Sequence, residues 1–213
     1  GVNIQQVLEE SLGVPVYLDK DGNMGALGES RYGAGRNEGH MIYMKVGSSI
    51  SGGFILNQQI YRGYTGTAGE IGHIPVDLNG TLCQCGRLGC LETVAGKAGI
   101  LREVQRFSPT LTTLEQVIEA ARAGDAVCKG ALTRAGKYLG SVLAGLVNSL
   151  NPSLIVLDGS TMQAGELIVN ALRSTLEEHS LQVPFAHTRI TLAESSGLAM
   201  PLGGVATILD AIF

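Results

Sequence analysis

Between His73 and Cys90 the chain places one histidine and three of its four cysteines in the order His-x9-Cys-x-Cys-x4-Cys: His73, Cys83, Cys85 and Cys90. Thiolates and a neutral imidazole, held at about 2.0–2.3 Å, are the ligands of tetrahedral zinc. Asn79-Gly80, Gly86 and Gly89 break the segment, so it can fold back on one ion as a helix or strand cannot. Four protein ligands leave no open coordination position, so the ion would be structural. The same spacing also admits a Cys83–Cys90 disulfide or three unpaired thiols; the ligand count favours zinc.

Three further groups could do chemistry. Asp19-Lys20-Asp21-Gly22-Asn23 falls where a strand gives way to a helix. Open α/β sheets bind ligands at such carboxyl ends, and Asp21 could take a proton from a substrate hydroxyl. The residues alone favour a plainer reading, with Asp19 or Asp21 as a helix N-cap. Gly47-Ser48-Ser49-Ile50-Ser51-Gly52-Gly53 lies between two strands and could offer N–H groups to a phosphate, or be an ordinary hairpin. In Gly69-Glu70-Ile71-Gly72-His73, Glu70 and His73 are one turn apart and can face one side. His73 can serve both a metal and a sugar if each ring nitrogen takes one task. Glu92, two residues past Cys90, would be fixed nearby by the metal. The alternative for Glu70 and Glu92 is two surface carboxylates.

The elements that must position these groups follow from periodicity. Residues 3–12 read as an amphipathic helix ended by Gly13. Val14–Leu18 reads as a short strand, with Pro15 at its start or on an edge, and Asp19–Ser30 as a helix rich in small residues. Met41–Val46 and Gly52–Leu56 are strands, with Ile60-Tyr61 a third; Thr65–His73 is a glycine-broken loop. Beyond Glu92 the pattern is helical to Leu150, punctuated at Pro109 and Ala123-Gly124-Asp125, and Gly136–Leu150 carries a buried apolar stripe. Leu154–Leu157 is apolar throughout, as in a strand covered on both faces; Ala164–His179, Arg189–Leu192 and Pro201–Ile212 read as helix, strand and helix. The order implies an α/β layered domain.

Composition excludes several classes. Charged residues are 16% of the chain against a usual ~25%, and apolar residues 45%, which fits a packed globule. A net charge of −4 without a basic cluster argues against direct nucleic-acid binding by this segment. No apolar run reaches the ~18 residues of a membrane span and no signal-peptide pattern opens the chain. Three cysteines committed to one loop suit a reducing cytoplasm, and Cys128 reads as a buried apolar thiol.

Taken together, Pro15–Glu29, Gly47–Gly53, Tyr61-Arg62-Gly63 through His73, and Cys83-x-Cys85-Gly86-x-x-Gly89-Cys90-Leu91-Glu92 resemble the ROK family of repressors and sugar kinases along the length of the chain. The resemblance implies the actin-like (ribonuclease H-like) sugar-kinase ATPase fold, in which a sugar binds between two lobes. It implies Asp21 as catalytic base in a kinase, Asp21, Glu70, His73 and Glu92 as sugar contacts, and His73, Cys83, Cys85 and Cys90 as ligands of structural Zn2+. It implies a nucleotide site at Gly47, Ser48, Gly52, Gly53 and Gly159, with ATP and Mg2+ only if the protein is a kinase.

Departures from the family pattern point away from catalysis. The opening Asp-x-Gly-x-Thr phosphate loop is absent, so residues 1–213 are expected to be the C-terminal lobe alone, with its zinc loop at 73–92. Lys20 replaces the usual Asn before Asp21, where it could intrude on the sugar or pair with Asp21. Ser49 and Ser51 replace glycines of the phosphate turn, and serine at a positive φ would cost about 1 kcal/mol. Asp158-Gly159-Ser160 replaces a triple glycine, and its carboxylate should repel phosphates. The expectation is the effector-binding, oligomerising lobe of a sugar-responsive transcriptional regulator. It would bind a sugar or sugar phosphate, and would reach DNA through a helix-turn-helix domain outside this lobe. The alternative is an ATP-dependent hexose or amino-sugar kinase with Asp21 as base.

Overall fold

The structure, a computed structural model, describes residues 2–195 and 197–212. Helix α1 (Ile4–Leu12) is capped by the Asn3 side chain, which accepts from the Gln6 N–H at 3.3 Å, and ends at Gly13 with φ 67°. Val14–Leu18 is extended but joins no strand among the described residues, which corrects the expected strand there. Pro15 has no N–H to offer a ladder, and the Val16 N–H goes to the Glu9 carboxylate at 3.1 Å. Helix α2 (Asp21–Tyr32) follows Lys20, which holds the N-cap position without a side-chain cap bond, so neither Asp19 nor Asp21 is the N-cap.

Strands β1 (His40–Val46) and β2 (Ile50–Leu56) form an antiparallel hairpin, and β3 (Gln59–Ile60) extends it. The turn is shorter than expected: Val46 pairs with Ile50, and the Gly47 N–H donates to the Ser49 carbonyl at 3.0 Å. Neither Ser49 nor Ser51 has a positive φ, so the expected strain at these serines is absent. Ser51 lies within β2, opposite Lys45, in ordinary strand geometry that any residue adopts.

A helical region follows: α3 (Glu92–Ala95), α4 (Lys97–Gln105), α5 (Leu114–Arg122) and α6 (Ala126–Leu150). Thr113 and Gln116 form a capping box at the start of α5. Asp125 caps α6, and Asn151 ends it in the left-handed region at φ 46°. Strand β4 (Leu154–Asp158), a 3-10 turn at Ser160–Ala164, α7 (Glu166–His179), α8 (Gln182–His187), β5 (Arg189–Leu192) and α9 (Ala199–Ile212) complete the order.

The sheet runs β3-β2-β1-β4-β5, antiparallel on the hairpin side and parallel across β1-β4-β5. Strand alternation divides the core. Ile42, Met44, Ile155 and Leu157 pack with the α3–α7 layer, whereas Met41, Tyr43, Leu154 and Val156 face α2 and α9. This is why β4 is apolar at every position: helices cover both of its faces. Gly140 lets α6 approach α7 closely, since a Cβ there would lie 2.4 Å from the Leu172 carbonyl oxygen.

Candidate functional site

The carboxyl ends of β1 and β4, the hairpin turn and the start of α2 converge on one rim. Gly22 brings α2 there, because a Cβ at that position would stand 2.3 Å from the Gly52 carbonyl oxygen in β2. The helix thus presents Asp21 directly against the strand. On the far side the Gly52 N–H donates to the Gly69 carbonyl at 2.8 Å, which draws the loop leading to Glu70 onto the same strand. That bond also uses an amide expected to face phosphate. A 3-10 turn (Ile71–His73) then carries Glu70 and His73, and the His73 N–H returns to the Glu70 carbonyl at 3.1 Å.

Asp21 does not stand alone. Lys45, which projects from β1, places its ammonium 3.1 Å from Asp21 Oδ2. Burial works to raise the Asp21 pKa, but Lys45, with Ser51 and the Gly22 N–H, outweighs it and holds the carboxyl below its ordinary value of 3.8. Asp21 is therefore an ion-paired carboxylate. The sequence offered no sign of this: a lysine in a strand reads as an ordinary outward-facing residue, and Asp21 is twenty-four positions away.

Lys20 neither pairs with Asp21 nor points away from the site. Its ammonium donates to Glu70 Oε1 at 2.9 Å, to the Ala68 carbonyl at 2.5 Å and to the Thr67 carbonyl at 3.2 Å. Behind it, Asp19 accepts from Asn23 at 2.5 Å and from Arg62 Nε at 2.9 Å. Glu92, the first residue of α3, accepts the Ile50 N–H at 2.9 Å through Oε2, and the Gly47 carbonyl accepts the Lys97 N–H at 2.8 Å. These bonds tie the start of α3 and α4 to the hairpin turn.

The expected nucleotide residues are divided. Gly47 and Gly159 meet at the ends of β1 and β4, where a Cβ on Gly159 would lie 2.3 Å from the Val46 carbonyl oxygen. Gly52 and Gly53 lie inside β2 under α2 and the Gly69 loop, where their lack of a side chain serves packing; Ser48 is exposed on the turn. Asp158 is buried. Its Oδ2 accepts from the Tyr43 hydroxyl at 2.6 Å, and its Oδ1 from the Gly159 N–H at 2.6 Å. Burial, then the Asp158 hydrogen bond, raises the Tyr43 pKa well above its ordinary 10.0, so the phenol keeps its proton and donates.

His73, Cys83, Cys85 and Cys90 come together, their ligand atoms all within 4.8 Å of one another. Cys83 Sγ is 3.6 Å from His73 Nδ1, and Cys85 Sγ is 3.6 Å from Cys90 Sγ. Donors at zinc-like bond lengths around a tetrahedral ion would be about 3.5–3.8 Å apart. All four cysteines are unpaired, which removes the Cys83–Cys90 disulfide alternative; Cys85 and Cys90, at 3.6 Å, are likewise far beyond the ~2.05 Å of a disulfide bond. Burial, and then the neighbouring thiols, push the Cys90 thiol up to about 12. The exposed Cys85 thiol is lowered, chiefly by the Arg87 backbone amide. Three crowded sulfurs are poor company as anions unless a cation lies between them. The donor set therefore fits a metal ion. With Nδ1 directed at the cluster, Nε2 of His73 remains for a second task. The loop is held by the Leu91 N–H, which donates to the Ile74 carbonyl at 2.9 Å, and by the Pro75–Cys90 bridge.

Comparisons with known proteins agree with this architecture. The sequence profile of the ROK family matches residues 1–211. A putative xylose repressor of Caldicellulosiruptor sp. (strain Rt8B.4) is 30% identical over 222 residues, covering 98% of this chain and 56% of its own length. The glucokinase of Halalkalibacterium halodurans is 35% identical over 193 residues, covering 84% of this chain and 58% of its own. A crystal structure of a ROK family transcriptional regulator, described as a homolog of the E. coli MLC protein, superposes with a TM-score of 0.89 at 27% identity, over 98% of this chain and 55% of that one. The chain spans about half the length of the curated relatives it matches.

Proposed function

The chain belongs to the ROK family, with the actin-like sugar-kinase fold of its solved members, and from that premise we propose that it is the effector-binding lobe of a sugar-responsive transcriptional regulator. A sugar or sugar phosphate would be held by Asp21, Glu70, Nε2 of His73 and Glu92, in the cleft between this lobe and its companion. His73 Nδ1, Cys83, Cys85 and Cys90 would hold structural Zn2+. The metal's contribution would be rigidity: it would fix the segment between the Glu70–His73 turn and Glu92 before a ligand arrives. DNA would be contacted by a helix-turn-helix domain elsewhere in the whole protein, not by this lobe of net charge −4. The protein would act as a homo-oligomer in the cytoplasm; no helix among the described residues is long and apolar enough to cross a membrane.

The observation that carries the reading is the Asp21–Lys45 pair. Phosphoryl transfer to a sugar needs a carboxylate that is open to the hydroxyl and basic enough to take its proton. Asp21 has its Oδ2 engaged by an ammonium and its pKa lowered, which makes it a weaker base but leaves it a hydrogen-bond acceptor for a hydroxyl. The match to the xylose repressor also covers 98% of the chain, against 84% for the glucokinase. A ligand would regulate by binding one closure of the cleft more tightly than another.

The second reading, a hexose or amino-sugar kinase using ATP and Mg2+ at Gly47, Ser48, Gly52, Gly53 and Gly159, is favoured by the 35% identity to a glucokinase and by the Asp21 carboxylate at the head of α2. The test is DNA binding by the whole natural protein with and without D-xylose and D-glucose. A shift in operator affinity that is lost in Glu92→Gln supports the regulator; DNA affinity indifferent to sugars, together with sugar-dependent ADP release, supports the kinase.

A further inference from the structure

We infer that Lys20 is a resident occupant of the sugar site, a latch that a ligand must displace and that sets how tightly a neutral sugar binds. The inference rests on the sugar-contact reading of Glu70 given above. An ammonium has three donors, and those of Lys20 meet three acceptors: Glu70 Oε1, the Ala68 carbonyl and the Thr67 carbonyl. One of the three is the carboxylate that a sugar hydroxyl would need. The ammonium takes the place a hydroxyl would take, and its bonds join the N-cap of α2 to the loop that leads into the Glu70–His73 turn.

Asparagine, the residue the family pattern carries beside the aspartate, both donates and accepts, and it is too short to span to the 67–70 segment as lysine does. Lysine only donates. A neutral sugar entering this site exchanges an ammonium–carboxylate bond for a hydroxyl–carboxylate bond, and it must leave Lys20 with other acceptors or with water. The side chains of the pair are partly exposed, Lys20 at 25% and Glu70 at 51%, so the latch can open into solvent and salt should weaken it. Ligand entry would also free the 67–70 segment from α2, which couples occupancy of the site to that loop.

The test is titration calorimetry of the full-length natural protein with D-xylose and D-glucose, comparing wild type, Lys20→Asn, Lys20→Gln and Lys20→Arg at low and high salt. The latch predicts that the Asn and Gln variants bind at least about tenfold more tightly than wild type, a factor equal to ~1.4 kcal/mol. Arg, which keeps the ion pair, should stay near wild type. Wild-type affinity should rise with salt while that of the Asn variant stays flat. Equal or weaker binding in both the Asn and Gln variants, with wild type binding measurably, overturns the latch and leaves the sugar-site reading standing. No heat with either sugar in wild type or any variant overturns both.

Discussion

Replacing Cys85 by serine tests what the metal does for the fold. The four donors span His73 to Cys90, a closed loop of eighteen residues. Pinning a loop of that length removes chain entropy from the unfolded state worth about 3 kcal/mol at 25 °C. Cys85 is exposed, so its loss opens no cavity and the cost falls on coordination alone. Three ligands remain, zinc affinity drops, and most of the clip is lost: a destabilisation of about 2–3 kcal/mol. For a domain of this size that is a fall in Tm of about 4–12 °C. Calorimetry should be run on wild type and variant, each with and without a chelator, beside a colorimetric zinc assay. Wild type should carry one zinc and lose Tm on chelation, down to the variant's value; the variant should carry little zinc and ignore the chelator. Full zinc occupancy with an unchanged Tm in the variant would refute the reasoning.

Lys45→Ala removes the cation that depresses the Asp21 pKa. In wild type the lowered pKa means Asp21 adds stability above 3.8 that is lost as pH falls through the folded value. In the variant only Ser51 and the Gly22 N–H still oppose burial, so the carboxyl should titrate above wild type in a carbon-detected NMR titration, and acid should cost the variant less stability. Gly140→Leu must fit a side chain where even a Cβ would be 2.4 Å from the Leu172 carbonyl; it should cost at least ~1–3 kcal/mol by denaturant unfolding, whereas Gly145→Leu, on open surface, should be near neutral. Thr113→Ala removes the capping box of α5 and should cost about 1 kcal/mol in the same assay.

What was legible in the sequence was what local chemistry specifies. His73, Cys83, Cys85 and Cys90 could be grouped because few roles other than a metal bring four soft donors into so short a span. The apolar run Leu154–Leu157 announced a strand covered on both faces, and the Ala123-Gly124-Asp125 junction marked the start of the long α6, which Asp125 caps. What was hidden depended on partners distant in sequence. Val14–Leu18 has the composition of a strand, but a strand also needs a neighbour. Helix α8, between the helix and strand read from the sequence, carries Pro184 at its third position, where the missing N–H costs nothing. Asp158 looked like a charge set against phosphates, but Tyr43, 115 positions away, holds it inside. Lys45 is the main omission, since its partner Asp21 lies across the α2–β1 junction; Lys20 stood out in the sequence, but its partner Glu70, fifty positions on, is supplied only by the fold.

The claim that matters most is that this site holds a sugar without phosphorylating it. The direct measurement is incubation of the whole natural protein with ATP, Mg2+ and D-glucose or D-xylose, with the sugar pool then resolved by mass spectrometry and binding followed in parallel. The account predicts saturable binding, abolished in Glu92→Gln, with the sugar recovered unchanged. Steady conversion to a sugar phosphate that stops in Asp21→Asn would contradict it and make the chain half of a kinase.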